Sequence, residues 1–144
     1  MKLKLVVIMM LSLSASVYAG DCTTVKEMDT ADAAASNIQD WAGVSSFFKK
    51  YKQCDDGYIA EGLSHTIGTL LAKDWRTLDQ LNVMTNKDKT FESWVVKHIN
   101  TTADDSDLAL IVKNAKEDCL APHTHLCTTL ENAARQALQD LEEE

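Results

Sequence analysis

The chain has 144 residues, of which 45% are hydrophobic, and its 22 acidic and 14 basic side chains give a formal net charge of −8. That length suits a single domain with a hydrophobic core. The negative charge disfavours contact with the phosphate backbone of nucleic acids, whereas it would attract a protein partner with a basic surface. We therefore expect a protein partner and no nucleic-acid partner.

The N-terminal residues follow the pattern of a secretory signal peptide. Lys2 and Lys4 precede an apolar run, and Val17 and Ala19 stand three residues and one residue before a cleavage site. The run is too short to cross a bilayer, which takes about 20 residues, so we expect no stable membrane insertion. We predict residues 1–19 to be the signal peptide, cleaved near Ala19 to give a periplasmic or secreted protein. Loss of the two lysines would change the net charge from −8 to −10.

Apolar residues recur at spacings of three and four along the rest of the chain, which indicates helices, and the alternation typical of strands is nearly absent. Six helices are predicted in chain order: residues 31–53; from Asp55 or Asp56 to residue 73; a short helix with Trp75, Leu78 and Leu81; a helix with Phe91, Trp94, Val95, His98 and Ile99; a helix starting in residues 102–105; and a last helix after Pro122. We predict an all-α fold, a single compact domain of about six short helices over residues 20–144. Both a bundle and a short α-solenoid-like stack fit this pattern. Residues 20–30 are expected to form an N-terminal arm, and residues 142–144 a frayed acidic tail.

Two of these helices contain residues that need explanation. His98 lies on the wide apolar face of the fourth helix, where a histidine is more often a satisfied, half-buried residue than a ligand. Gly62 and Gly68 interrupt the second helix. A glycine there either weakens the helix or lets a neighbour approach closely.

All four cysteines follow the predicted cleavage site, and an even number in an exported chain indicates two disulfides. We predict that Cys119–Cys127 closes a hairpin between two helices and that Cys22–Cys54 ties down the N-terminal arm. A pairing of Cys54 with Cys119 or Cys127 stays open. Helices that alternate in direction would bring all three of those cysteines to one end of the molecule.

The same stretch, CLAPHTHLC at residues 119–127, also invites a metal interpretation. Its two cysteines with His123 and His125 could offer thiolates and imidazoles to zinc. The spacing differs from the C-x2-C and H-x3–5-H pairs of known zinc modules, however, and oxidised cysteines cannot bind as thiolates. We predict a fold clasp and no metal or cofactor, with His123 and His125 as the residues that would take part if a metal did bind.

Glu61, Ser64 and His65 resemble the ingredients of a hydrolase triad. Glu61 and His65 are four residues apart and can pair, but adjacent residues on a helix point about 100° apart, so His65 cannot reach the Ser64 hydroxyl as a base must. The G-x-S-x-G turn of hydrolases is also missing around Ser64. We therefore predict a protein that is not an enzyme.

Acidic residues at two predicted helix starts are the candidates for contact with a basic partner: Asp55, Asp56, Asp104, Asp105 and Asp107. Capping of helix N-termini also explains acids at such positions, because a carboxylate accepts hydrogen bonds from the free N–H groups of the first turn.

A signal peptide, a mature chain of about 125 residues, helical periodicity, paired cysteines and an acidic surface together resemble a class of small periplasmic proteins. The chain is similar in general plan to the immunity proteins that neutralise type VI secretion amidases. The resemblance implies an exported protein that blocks an effector enzyme, a basic toxin or cell-wall hydrolase, through its surface. It carries no defining motif and therefore assigns no residue.

Two other functions remain open. The chain could carry a small apolar ligand between its helices, with Trp41, Trp75 and Trp94 lining the pocket, although aromatic residues at helical spacing usually belong to a core. It could also be an enzyme whose site is assembled from residues far apart in the sequence.

Overall fold

The computed structural model describes residues 21–144, and the predicted signal peptide lies outside these residues. Over the described part the chain forms seven α-helices with no strand, which confirms the all-α prediction. Their bounds are α1 Val25–Ser36, α2 Trp41–Tyr51, α3 Gly57–Lys73, α4 Leu78–Lys87, α5 Lys89–Lys97, α6 Asp105–Glu117 and α7 Thr124–Glu143. Short 3-10 turns precede α3, α4 and α7.

Polar side chains fix where five of these helices begin. A Thr or Asp immediately before each accepts a hydrogen bond from a first-turn N–H group, which would otherwise lack a partner. These residues are Thr24 before α1, Asp40 before α2, Asp56 before α3, Asp88 before α5 and Asp104 before α6. Each helix start is therefore specified locally, by one short side chain.

The first predicted helix, residues 31–53, is in fact two helices. Asn37 ends α1, and Asp40 begins α2 by accepting the Gly43 N–H at 2.8 Å. The expected N-terminal arm is also largely helical, because α1 already starts at Val25. At the other end α7 continues to Glu143, so the helix includes most of the tail that was expected to fray.

Helix α3 is central to the packing, since it contacts α1 on one side and α6 on another. The apolar face of the fourth predicted helix, which corresponds to α5, is buried as expected, and its aromatic rings contact those of α2. Phe48 lies between Phe91 and Trp94, with both ring centroids 5.3 Å away. These contacts join the two halves of the chain into one core.

Both predicted disulfides are present, Cys22–Cys54 and Cys119–Cys127. The first joins the chain before α1 to the turn before α3, so two helices start beside it. The second closes the connection between α6 and α7. Within residues 21–144 none of the helices is long and apolar enough to cross a membrane.

Candidate functional site

The turn before α3 holds a buried carboxylate at Asp55. Its side chain is 2% exposed, and its Oδ2 receives three donors from α5 and the residue after it. Trp94 Nε1 lies 2.8 Å away, Lys97 Nζ 3.0 Å and His98 Nε2 3.1 Å. Asp55 Oδ1 is buried without a hydrogen-bond partner among the described residues. The carboxylate therefore ties the start of α3 to the end of α5.

His98 extends this contact into a chain of hydrogen bonds. Its Nε2–H donates to Asp55 Oδ2 at 3.1 Å, and its Nδ1 forms a hydrogen bond with the Ser64 hydroxyl at 2.9 Å. Ser64 Oγ accepts from Asn100 Nδ2 at 3.2 Å. Because an ionised carboxylate only accepts, the contact with Asp55 requires a proton on Nε2. Asp55, His98, Ser64 and Asn100, which we call the buried relay, are thus linked in one chain.

The order serine, histidine, aspartate is that of a hydrolase triad, but two features separate the relay from one. In the hydrolases Nε2 faces the serine and Nδ1 the aspartate, and here the two nitrogens have exchanged partners. Ser64 and His98 are also each 1% exposed, so a substrate cannot reach the hydroxyl in this conformation. The relay acts structurally: it fixes the position of the residues that lead into α3.

The relay also holds Asp55 in its charged form. Burial would raise the pKa of this carboxyl, but the hydrogen bond and charge of His98, with those of Lys97, outweigh burial and lower the pKa to about 2. A carboxylate that accepts several donors is favoured in its ionised form. Asp55 is therefore ionised over the pH range in which proteins are usually studied.

Replacing Ser64 by alanine tests the structural role of the relay. We expect Ser64→Ala to lower the free energy of unfolding by about 1–2 kcal/mol, because His98 Nδ1 and Asn100 Nδ2 lose a buried partner. Urea unfolding followed by circular dichroism measures this. Ser93→Ala is the matched control: Ser93 is exposed on α5 and should change stability by less than about 0.5 kcal/mol. Equal effects of the two substitutions would contradict the role assigned to Ser64.

On the solvent side of the same turn, α3 presents an exposed face. Tyr58, Glu61, Gly62 and His65 are exposed and recur at i, i+3, i+4 and i+7, so they share one side of the helix. Gly57 begins the helix with a φ of +51°, a conformation that favours glycine. We call these four exposed residues the α3 face.

Apolar side chains are exposed on both helices that start beside the Cys22–Cys54 disulfide. Tyr58 is 53% exposed, and across the disulfide Val25 is 74% and Met28 36% exposed at the start of α1. The Cα atoms of Cys22 and Cys54 are 5.1 Å apart, so the disulfide brings the two helix starts together. Exposed apolar groups gathered in one region are a feature of protein-binding surfaces.

The two histidines of the CLAPHTHLC stretch contact different carboxylates. His123 is buried, with Nε2 2.7 Å from Asp79 Oδ1, and His125 Nε2 lies 3.3 Å from Glu92 Oε1. Of the two histidines, only His125 is exposed. Both cysteines of the stretch are oxidised, which removes the thiolates from the zinc hypothesis.

The five candidate acids have different environments. Asp55 and Asp107 are buried: Asp107 Oδ2 accepts from Thr69 and its Oδ1 lies 3.1 Å from Lys73 Nζ. Their burial disfavours direct contact with a partner at these two carboxylates. Asp56, Asp104 and Asp105 are exposed at helix starts, and for them partner contact stays a prediction.

The three tryptophans do not share one environment. Trp41 is 1% and Trp94 9% exposed in the core, with ring N–H groups bonded to Thr77 and Asp55 respectively. Trp75 instead lines an open surface pocket of about 370 Å³ with Leu78 and Leu120. Two of the three are therefore core residues, and Trp75 alone remains beside a pocket that could take a ligand.

Comparison of the chain with protein-family models, curated proteins and solved structures finds no match.

Proposed function

We propose that this chain is an exported binding protein that acts as an immunity or inhibitor protein, blocking an effector enzyme through its surface. One observation carries the proposal. Val25 and Met28 of α1 and Tyr58 of α3 are exposed on the two helices that start beside the Cys22–Cys54 disulfide, on a chain with a net charge of −8. Exposed apolar side chains on an acidic protein suit a basic protein partner.

The disulfides and the predicted signal peptide support the exported location. Disulfides persist in oxidising compartments such as the periplasm and are rare in the cytosol. The general resemblance to type VI amidase immunity proteins supplies the class of partner, a basic cell-wall amidase. The buried relay supports a binding function over an enzymatic one, because its serine is enclosed in this conformation.

A binding panel tests the proposed function. The mature chain, residues 20–144, would be titrated by calorimetry into purified amidases of the class delivered by type VI secretion, and peptidoglycan hydrolysis would be assayed in parallel. We expect binding at submicromolar concentration to at least one amidase and loss of its activity. We also expect affinity to fall as salt rises, since opposite charges would steer the complex. Failure of every amidase to bind at micromolar concentration would contradict the proposal.

Native mass spectrometry separates this function from the carrier of an apolar ligand. The mature protein purified from its own compartment should show the mass of the chain alone. A bound small molecule would favour the carrier, with the pocket beside Trp75 and Leu120 as its site. Trp75→Ala would then release that molecule, whereas it should leave amidase binding unchanged.

A further inference from the structure

We infer that the α3 face, defined by Tyr58, Glu61, Gly62 and His65, is the surface that contacts the basic partner, with backbone of the partner lying against Gly62. This inference rests on the proposed function and assigns its contact surface.

Gly62 supplies the first argument, because the fold gives no reason for a glycine at this position. A Cβ added there would meet nothing within 4 Å among the described residues, and no positive φ requires glycine. Gly68 differs, since its Cβ would lie 3.4 Å from the Ala103 Cβ. A glycine inside a helix destabilises it relative to alanine. The bare backbone at Gly62 leaves room for another molecule to approach closely.

Tyr58 supplies the second argument. It lies one turn before Gly62 and is 53% exposed. Tyrosine is enriched among the few residues that provide most of the binding energy at protein interfaces. An exposed aromatic ring therefore lies one helical turn from a position where no side chain covers the backbone. Val25 and Met28 are also exposed, on the helix that starts on the other side of the disulfide.

The charged residues of the α3 face indicate which kind of partner would bind there. Glu61 lies within the face and Asp56 at its start, and the first lysine or arginine of α3 is Lys73, at its far end and paired with Asp107. A second copy would bring like charges together on this face and carries the same net negative charge. A basic protein surface meets these acids favourably. The face is therefore matched to a basic effector enzyme.

The buried relay gives this face a fixed position. Three hydrogen-bond donors hold Asp55 in the turn that leads into α3, three residues before Tyr58. A contact surface that is already ordered before binding loses less conformational entropy when the complex forms.

The test uses two variants of the full mature chain and the amidase panel. Gly62→Gln adds a good helix former with a bulky side chain, so we expect an unchanged or higher thermal midpoint together with affinity at least tenfold weaker. Tyr58→Ala should weaken binding about 10- to 100-fold. Thr128→Gln is the matched control: Thr128 is exposed on α7, which packs chiefly against α6, and binding should be unchanged.

Each other result counts against the α3 face in a distinct way. If wild-type protein binds an amidase and both face variants bind equally well, the face is wrong while the proposed function stands. If no amidase binds, the proposed function and the face fail together. A lower thermal midpoint for Gly62→Gln would show that Gly62 serves the fold. A wild-type dimer that becomes a monomer on this substitution, measured by sedimentation, would show that the face joins two copies.

Discussion

Asp55→Asn should lower the free energy of unfolding by about 2–3 kcal/mol, which would make Asp55 one of the most sensitive polar residues of the chain. The carboxylate accepts from Trp94, Lys97 and His98 on one oxygen, and hydrogen bonds to a charged group are worth about 1.5–3 kcal/mol. Asparagine keeps an oxygen for these donors but loses the charge. It also places an amide N–H₂ where the buried Oδ1 now has no partner. Urea unfolding of the two proteins measures the difference.

The neighbouring residue gives a matched control for this substitution. Asp56 is exposed and caps α3 by accepting the Gly57 N–H at 2.8 Å. Asparagine caps a helix about as well as aspartate, so Asp56→Asn should leave stability nearly unchanged. The same chemical change, one residue apart, should therefore have a large effect in one case and almost none in the other. If the two variants unfolded at the same urea concentration, Asp55 would not be the anchor described above.

Acid should remove the advantage of wild type over Asp55→Asn. The pKa of Asp55 in the folded protein is lowered from 3.8 to about 2. Its contribution to the free energy of unfolding is therefore fully present at any pH above the pKa that this carboxyl has in the unfolded chain. As the pH drops from about 4 towards 2, the carboxyl of the folded protein is protonated, and that contribution of about 2 kcal/mol is lost. Urea midpoints at pH 6, 4, 3 and 2 would measure the two free energies. A difference that stayed constant over this range would contradict the lowered pKa.

The helices could be predicted from sequence because their signals are local. The spacing of apolar residues within one helix, such as Phe91, Trp94 and Val95, is enough to predict which side of that helix is buried. The break between α1 and α2 was missed because Ile38 and Trp41 continue the helical spacing across it. The available signal was Asp40, a capping residue three positions before Gly43.

The buried relay could not be predicted because its members come from segments far apart in the sequence. His98 lies 34 residues from Ser64 and 43 from Asp55, and no spacing rule connects such distances. Periodicity did place His98 on a buried face, which required a polar partner somewhere in the fold. Asp55 and Asp56 carry identical side chains in adjacent positions, and only the tertiary structure shows which one is buried and which caps α3.

Removing the Cys22–Cys54 disulfide should destabilise the protein more than removing the hairpin clasp. The cysteines of the first pair are 32 residues apart and those of Cys119–Cys127 are 8 apart. In the chain-entropy model the longer loop gives about 3–4 kcal/mol and the shorter about 2.5 kcal/mol, because each crosslink limits the unfolded chain. Thermal or urea unfolding of the double variants Cys22→Ala/Cys54→Ala and Cys119→Ala/Cys127→Ala measures both.

The same two variants separate stability from recognition. Cys22–Cys54 fixes the start of α1, with Val25, beside the turn that leads into α3, whose second residue is Tyr58. Its loss should weaken amidase binding even at a temperature where the variant is fully folded. The clasp joins α6 to α7, so its loss should lower stability and leave affinity unchanged. If both variants lost affinity in proportion to their stability, the disulfides would serve the fold alone and the contact surface would need to be sought elsewhere.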